Sequence, residues 1–390
     1  MPIFTTLIEV EQLATAVAHD ADGASDLAII DCRFDLARPD WGALAYAEGH
    51  IPGALYGHLD RDLSGPVAPH TGRHPLPAPE QWTQTLSRWG IDARVQVVAY
   101  DQGNGAYAAR LWWLLRWAGH RQVAVLNGGF AAWQQAGMPV DATPGRRTAR
   151  SFTWGAEART ASAHVAGAQG ASARGADAHA ARAQGAGGRG TGAHAADAQG
   201  ALARGTGARA ADTQGALAQP RQEQRGGDTV RSGQESMVVG TAELEHSVRA
   251  GELLSGEPMS PPGGPVSTAR SHVGPAGRLV LVDARSADRF AGQNETIDPV
   301  AGHIPGARNY PFVSNLDSRG RFLPADELRK RWGATLGEGA AGASHVIAMC
   351  GSGVTACHNL LALEIAGLTG ARLYAGSWSE WIRDPRRPIA

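Results

Sequence analysis

Cysteine is scarce in this chain of 390 residues, and long apolar runs are missing. The three cysteines, Cys32, Cys350 and Cys357, are too few for a disulfide framework or a four-thiolate metal site. Reduced thiols are usual in the cytoplasm, which is the location we expect. We expect no signal peptide, because the first residues lack a basic segment followed by an apolar one. No window reaches the ~20 apolar residues that a membrane-spanning helix needs.

An excess of charge of one sign is also missing. The chain has 36 Lys and Arg residues and 37 Asp and Glu residues, and its net charge is −1. A nearly neutral chain has no overall field that attracts nucleic acid or an anionic membrane, so we expect neither as a partner. The length exceeds what one hydrophobic core usually holds, which predicts two domains.

The two ends of the chain repeat each other. LAIIDCRF and YAEGHIPGALY near the start match LVLVDARSADRF and VAGHIPGARNY near the end, and LNGGFAAW matches YAGSWSEW. Within each copy, short apolar runs alternate with helical stretches. This alternation predicts an α/β unit with a mostly parallel sheet and helices on both faces. We place the two copies at residues 1–145 and 237–390.

Between the copies lies a segment of low complexity. Residues 155–236 are rich in Ala, Gly, Arg and Gln and contain no Phe, Trp or Tyr. Such a segment cannot bury enough apolar surface to offset its chain entropy, so we predict a disordered linker at 146–236. An Arg/Gly-type RNA-binding arm is the weaker alternative, because acidic residues dilute the arginines. A second Pro- and Gly-rich loop, 251–277, also lies outside the repeat.

The C-terminal copy contains a cysteine at the start of a glycine-rich loop. Cys350 follows the strand-like run SHVIAM and precedes a helical stretch. Such a loop turns backbone N–H groups and the positive end of the helix dipole toward the cysteine, which favours a thiolate. We therefore interpret Cys350 as a reactive thiol rather than a small buried residue. The matching Asp101 cannot act as a sulfur nucleophile, so we expect the first copy to be silent and to help form the pocket.

Several cysteine chemistries do not fit this loop. A cysteine phosphatase needs an arginine at the position of Ala356. A cysteine hydrolase needs a histidine base, and we expect His358 to lie in the following helix and to point away. Cys357 is too far from Cys350 for a Cys-x-x-Cys pair and should be buried, although a resolving or redox role stays open. The remaining chemistry is a persulfide held by loop N–H groups, without a metal or organic cofactor.

Two other motifs have a structural interpretation. We expect His50 and its match His303, in the GHIPGA stretches, to anchor a turn. The Asp-x-Arg pairs of DCRF and DARS should form internal ion pairs at strand ends.

Taken together, DCRF and DARS, the GHIPGA segments and the closing GSWSEW resemble the two-domain rhodanese-type sulfurtransferases. The resemblance covers roughly 1–145 and 237–390. It implies tandem rhodanese domains, each a five-stranded parallel sheet flanked by helices, joined by the low-complexity linker. It also implies that the first domain is silent and that the active cysteine lies in the second.

The loop Cys-Gly-Ser-Gly-Val-Thr looks like that of the 3-mercaptopyruvate sulfurtransferases, whereas thiosulfate-using members typically have Cys-Arg-Lys-Gly-Val-Thr. The resemblance implies that Ser352 handles protons together with a histidine and an aspartate of the first domain, which match His74 and Asp60. It implies two arginines that hold the substrate carboxylate. Arg289 matches the first, but the stretch before the second GHIPG has none for the other. The loop residues expected to bind the donor sulfur are Gly351, Gly353, Val354 and Thr355.

The predicted activity is transfer of sulfur from 3-mercaptopyruvate, through a Cys350 persulfide, to cyanide, a thiol or a thioredoxin-like protein. Two alternatives stay open: thiosulfate as the donor on the same scaffold, and a non-catalytic persulfide carrier. Two half-reactions through a covalent enzyme predict ping-pong kinetics.

Overall fold

The computed structural model describes residues 2–19, 26–155, 237–254, 279–337 and 342–390. Residues 156–236, which hold most of the predicted linker, and most of the predicted loop at 251–277 lie outside these ranges. We call residues 2–155 the N-terminal half and residues 237–390 the C-terminal half. The described parts of both halves belong to one compact unit.

The N-terminal half has one parallel sheet of five strands, in the order β1-β5-β4-β2-β3. Its strands are β1 (Leu7–Ile8), β2 (Leu27–Asp31), β3 (Leu55–Tyr56), β4 (Gln96–Tyr100) and β5 (Val123–Leu126). Its helices are α1 (Val10–His19), α2 (Trp41–Glu48), α3 (Pro79–Arg88), α4 (Ala108–Trp117) and α5 (Gly129–Gln135). Every residue of β2, β4 and β5 is buried, as expected for strands covered by helices on both faces.

The C-terminal half has a parallel sheet in the order β7-β6-β8-β9. Its strands are β6 (Val280–Asp283), β7 (Arg308–Asn309), β8 (Val346–Met349) and β9 (Arg372–Leu373). Its helices are α6 (Thr241–Arg249), α7 (Ala287–Phe290), α8 (Ala325–Leu336), α9 (Thr355–Ile365), α10 (Ser377–Trp381) and the 3₁₀ helix Phe312–Asn315.

This second sheet differs from the expected five strands. In the place that β1 takes in the N-terminal half, the described chain makes one parallel bridge, between Val238 and Leu373. Pairing ends there because α6 begins at Thr241 and the chain leaves the sheet edge. The predicted class, tandem α/β units with parallel sheets flanked by helices, is confirmed.

The two halves share a hydrophobic core. Buried side chains of α4, among them Trp113 and Leu114, belong to the same apolar cluster as Leu360 and Leu361 of α9. Because these helices pack against each other, the loops that precede them are held side by side. The loop of one half can therefore contact side chains of the other.

The predicted ion pairs of the Asp-x-Arg motifs are present and buried. Oδ2 of Asp31 lies 2.6 Å from Nη2 of Arg33, and Oδ2 of Asp283 lies 2.7 Å from Nη2 of Arg285. Each Nη2 also donates to the carbonyl oxygen of the first glycine of the GHIPGA stretch, at 2.7 Å and 2.8 Å. The ion pair thus joins the first long strand of each half to the turn that follows it.

The two GHIPGA histidines anchor turns, as predicted. The imidazole of His50 stacks on Tyr46 with ring centroids 3.9 Å apart, and its Nδ1 lies 2.7 Å from the Tyr46 carbonyl oxygen. His303 repeats this arrangement on Phe290, again with centroids 3.9 Å apart.

The described N-terminal half continues beyond residue 145. Phe152 is buried, and the ring of Trp154 meets Trp117 edge-on at 5.1 Å between centroids. Residues 146–155 therefore pack on this half, although the sequence places them with the linker. These aromatic side chains supply the apolar area that the segment after them lacks.

Candidate active site

Cys350 stands at the end of β8, and its loop leads into α9 at Thr355. The backbone N–H of Gly353 donates to the Cys350 sulfur, with the nitrogen 3.1 Å from Sγ. Gly353 has a φ of +77°, and a Cβ on it would lie 2.4 Å from the carbonyl oxygen of Ala375. A glycine is therefore required at the point where the loop turns its N–H back toward the thiol.

A strained serine fixes the backbone of Cys350 from the other side. Ser377 has a φ of 54° and is, in the part of the chain described by the structure, the one non-glycine residue with positive φ. Its hydroxyl accepts the backbone N–H of Cys350 and donates to the carbonyl oxygen of Tyr374, both at 3.0 Å. The matching residue of the N-terminal half is Gly129, with a φ of 57°. The serine keeps an unfavourable backbone angle at a position where its hydroxyl orients the cysteine.

Three predicted residues from the two halves meet beside the thiol. Nδ1 of His74 lies 2.7 Å from Oγ of Ser352, and Nε2 of His74 lies 3.2 Å from Oδ1 of Asp60. A carboxylate only accepts hydrogen bonds, so Nε2 carries the imidazole proton and donates a hydrogen bond to Asp60. Nδ1 is then the acceptor for the Ser352 hydroxyl.

The environment keeps this histidine neutral. Burial lowers the pKa of His74 from 6.5, and the hydrogen bond to Asp60 opposes that shift. The same hydrogen bond is the main cause that lowers the pKa of Asp60, while partial burial opposes it. A neutral imidazole that accepts from a serine hydroxyl can take up its proton, as a proton relay requires.

Two arginines lie over the residue that follows Cys350. A Cβ built on Gly351 would lie 2.9 Å from Nη2 of Arg73 and 3.6 Å from Nη2 of Arg289. Arg289 is the predicted carboxylate ligand. Arg73 comes from the other half, and its backbone N–H donates to Oγ of Ser379 at 3.0 Å, which fixes its position. A larger residue at 351, such as the arginine of the thiosulfate-type loop, would displace the guanidinium group of Arg73.

Both arginines are bound by carboxylates. Asp298 pairs with Nη1 of Arg73 and, at 3.2 Å, with Nη2 of Arg289. Glu295 lies 2.9 Å from the same Nη2 of Arg289. Burial raises the pKa of Asp298, and the charge of Arg73 is the largest opposing effect. The cations over the loop are thus largely neutralised by internal acids.

Several N–H groups of the loop are available to bind a ligand. Within the described residues, the backbone N–H groups of Gly351, Ser352, Val354 and Thr355 have no hydrogen-bond partner. They lie at the start of α9, where the helix dipole adds positive potential.

The matching loop of the N-terminal half shows what such a loop binds. Oδ1 of Asp101 accepts the N–H groups of Gly103 and Gly105, each at 3.0 Å. Oδ2 accepts those of Tyr107, at 2.9 Å, and of Ala108, at 3.3 Å. Burial raises the pKa of Asp101, and these four N–H groups oppose the rise. This half therefore holds an anion on its own side chain at the position of the C-terminal thiol.

The two other polar residues near the loop do not join the site. His358 is buried, and its Nε2 lies 3.0 Å from the carbonyl oxygen of Asn104 in the other half. Burial lowers the pKa of His358 to about 3, so it is a neutral structural donor. Burial also raises the pKa of Cys357 to about 12. Cys357 is buried, as the sequence predicted, and His358 lies in the helix after the loop, as expected, with its ring bound to the other half.

Four residues around the thiol were not identified from the sequence: Arg73, Arg110, Asp298 and Ser377. Arg73 lies beside His74, Asp298 lies in the stretch before the second GHIPG, and Ser377 lies in the GSWSEW motif. Each acquires its role through packing between segments far apart in the chain. The one available signal was that Arg73 directly precedes His74.

The described residues contain no group of three His, Cys, Asp or Glu side chains that could hold a metal ion. Among the described helices, none has the length and apolar character needed to cross a membrane.

Known proteins share this fold and sequence pattern. A profile of the Rhodanese-like domain matches residues 13–136 and 269–384. A Pseudomonas aeruginosa protein named "Probable 3-mercaptopyruvate sulfurtransferase" is 37% identical over 386 residues, which cover 98% of this chain and 97% of that protein. The Thiosulfate sulfurtransferase of Gallus gallus is 25% identical over 379 residues, which cover 96% of this chain and 92% of that protein.

Solved structures agree with the fold. The 3-mercaptopyruvate sulfurtransferase of Leishmania major matches with a TM-score of 0.60 at 24% identity, covering 97% of this chain and 74% of that one. At this identity the likeness concerns the fold alone. The relatives confirm the predicted enzyme class, a sulfurtransferase. With both domain matches and the long alignments in agreement, the chain belongs to the family of proteins built from Rhodanese-like domains.

Proposed function

We propose that this protein transfers sulfur from 3-mercaptopyruvate through a persulfide on Cys350. The observation that carries the proposal is the contact of Ser352 with His74, which in turn contacts Asp60, beside the thiol. A thiosulfate donor needs no proton transfer, because sulfite leaves as an anion. A mercaptopyruvate donor does, because its thiol proton must be moved as the carbon–sulfur bond breaks.

The donor is held at the cations over the loop. We propose that Arg289 and Arg73 bind the mercaptopyruvate carboxylate. Arg73 would then take the place of the second arginine, which is missing from the stretch before the second GHIPG. Within the described residues, Nη1 of Arg289 and Nη2 of Arg73 have no hydrogen-bond partner, and both groups approach Gly351. Guanidinium groups bind carboxylates well because their N–H donors match the two oxygens.

The sulfur transfer then balances as follows. The Cys350 thiolate attacks the donor sulfur, a sulfur–sulfur bond forms, and the bond between sulfur and the methylene carbon breaks with its electron pair on the leaving enolate. The proton of the donor thiol passes through Ser352 and His74 to the enolate, which becomes pyruvate. The enzyme retains a persulfide anion, and Asp60 keeps the imidazole in the tautomer that can accept the proton.

The outer sulfur of the persulfide is bound by N–H groups of Gly351, Gly353, Val354 and Thr355. The Asp101 loop supports this step, since it already presents four N–H groups to an anion of similar reach. A thiol, cyanide or a thioredoxin-like protein removes the outer sulfur and restores the thiolate. We further propose that the N-terminal half is the silent domain and that the protein acts in the cytoplasm.

Thiosulfate is the second candidate donor. The observation in its favour is that cations from outside the loop, Arg73 and Arg289, do reach Gly351 and could attract a dianion. A relative at lower identity carries a thiosulfate name. The absence of cations within the loop itself favours mercaptopyruvate.

Steady-state sulfur transfer to cyanide, from each donor in parallel, tests the proposal. Cys350→Ser should abolish both activities. Ser352→Ala should lower the kcat for mercaptopyruvate by about 10²- to 10⁴-fold, the range expected for a lost proton relay, and leave thiosulfate transfer nearly unchanged. Equal losses for both donors would contradict the relay. A wild type that prefers thiosulfate would overturn the donor assignment and leave the persulfide chemistry intact.

A further inference from the structure

Arg110 is a buried cation that contacts backbone carbonyl groups. It lies in α4 of the N-terminal half and is fully buried. Its Nη1 donates to the carbonyl oxygen of Gly353 and its Nη2 to that of His74, each at 3.1 Å, with longer contacts to Leu63 at 3.4 Å and Pro75 at 3.5 Å. No carboxylate pairs with it within the described residues. Burying a cation in this way is costly, so its presence calls for an explanation.

The nearby groups that can carry negative charge are thiols. Burial lowers the pKa of Arg110; negative charge on Cys357 and a hydrogen bond with that side chain oppose this effect most, and negative charge on Cys350 opposes it less. The thiol of Cys357 donates to the Gly353 carbonyl oxygen at 3.2 Å. Burial raises the pKa of Cys357 to about 12, so this residue stays a neutral thiol at physiological pH. Cys350 is therefore the sulfur whose charge Arg110 can compensate.

The two carbonyl groups that Arg110 binds belong to residues that act on the thiol. Gly353 donates its N–H to Sγ of Cys350 at 3.1 Å, and His74 accepts from Ser352 at 2.7 Å. One guanidinium group thus binds the backbone of both Gly353 and His74. The planar guanidinium group fixes the relative position of these two residues and also supplies charge.

The N-terminal loop provides an internal comparison. Its carbonyl at Asn104 receives a hydrogen bond from His358, which burial keeps neutral. That loop already contains the carboxylate of Asp101. The loop with its own carboxylate is therefore bound by a neutral side chain, and the loop with a thiol is bound by a cation.

We infer that Arg110 is a positioning residue of the sulfurtransferase site: supplied by the silent half, it stabilises the anionic forms of Cys350, first the thiolate and then the persulfide. The inference rests on the proposed role of Cys350. It also gives the silent half a specific part in the chemistry, beyond forming one wall of the pocket.

Other groups face the same loop. Arg73 and Arg289 lie over it, paired with Asp298 and Glu295, and neutral His74 lies beside it. Because the two upper cations are paired with acids and Arg110 is not, the effect of Arg110 on the thiol should exceed theirs.

The pH profile of Cys350 alkylation by iodoacetamide, followed on the whole protein by peptide mass spectrometry, tests the inference. All three cysteines are buried, and peptide mass spectrometry follows each of them separately. Burial raises the pKa of both Cys32 and Cys357, so these two residues should react slowly. Arg110→Met should move the midpoint of the profile to higher pH and slow alkylation about tenfold at neutral pH. Arg110→Lys, which keeps the charge, should recover most of that rate.

The matched control is Arg116→Met, also in α4, which removes the ion pair with Glu364 of the other half (2.7 Å) and does not touch the loop. It should leave the alkylation profile unchanged. Thermal melts of each variant test whether it is folded. Equal shifts in Arg110→Lys and Arg110→Met would assign a packing role and overturn the inference, as would an unshifted profile in folded Arg110→Met. Alkylation needs no sulfur donor, so an alkylation shift in a protein that fails to turn over mercaptopyruvate would sink the proposed function alone.

Discussion

Asp298→Asn should improve the use of anionic donors. The Asp298 carboxylate is bound by Arg73 and Arg289, the two side chains proposed to hold the donor carboxylate. A donor must therefore compete with an acid that is already in place. The asparagine is of similar size and removes the charge, so both guanidinium groups become more available to the donor.

The size of the effect follows from the contacts that are weakened. A hydrogen bond to a charged group contributes about 1.5–3 kcal/mol. Arg73 and Arg289 are 25% and 17% exposed, so solvent screening places the gain at the lower end, about 1.5 kcal/mol. That energy corresponds to about a tenfold change. We expect kcat/KM for mercaptopyruvate to rise about tenfold, mainly through a lower KM.

Initial rates with mercaptopyruvate and thiosulfate, at fixed cyanide, measure this change. Asp384→Asn is the control, because it removes one carboxylate, paired with Arg386, without altering the loop. It should leave both KM values unchanged. Arg73→Met should raise the KM for mercaptopyruvate. A folded Asp298→Asn protein with an unchanged or higher KM would refute the competition, and an unchanged KM in Arg73→Met would remove Arg73 from the donor site.

Three further changes probe other parts of the molecule. Asp60→Asn removes an interaction that raises the pKa of His74. Below pH 6.5, protonation of His74 sets the acid limb of the kcat/KM profile for mercaptopyruvate, so this limb should move to lower pH. A move to higher pH contradicts the assigned tautomer. Asp101→Asn should lower the free energy of unfolding by about 1–3 kcal/mol in urea titrations, because the amide cannot accept all four N–H groups, with the activity per folded molecule kept. Deletion of residues 158–234 should leave melting temperature and sulfur transfer largely intact, since their composition favours a linker; a soluble deletion protein without turnover would contradict this.

The repeat made the fold predictable. Once the two GHIPGA stretches were matched, the alternation of apolar runs and helical stretches gave parallel sheets in both halves. The short edge strands could not be predicted in the same way. β3, β7 and β9 have two residues each, so their pairing depends on the neighbouring strand more than on their own sequence.

The site could be predicted only in part. Cys350 follows from the loop itself, and the resemblance supplied Ser352, His74 and Asp60, of which the structure brings His74 into contact with both others. Arg110 could not be found, because an arginine in an apolar helix carries no local sign of which carbonyl groups it will bind. Its contact with Gly353 joins residues 243 positions apart and exists only after the halves have packed.

The carboxylate of Asp101 has a consequence for the stability of a loop without a thiol. Such a loop still presents inward-pointing N–H groups, and leaving them buried without an acceptor would destabilise the fold. Asp101 accepts four of them with its own side chain, so this loop needs no bound anion to be stable. Its geometry offers a template for the persulfide form proposed for the Cys350 loop.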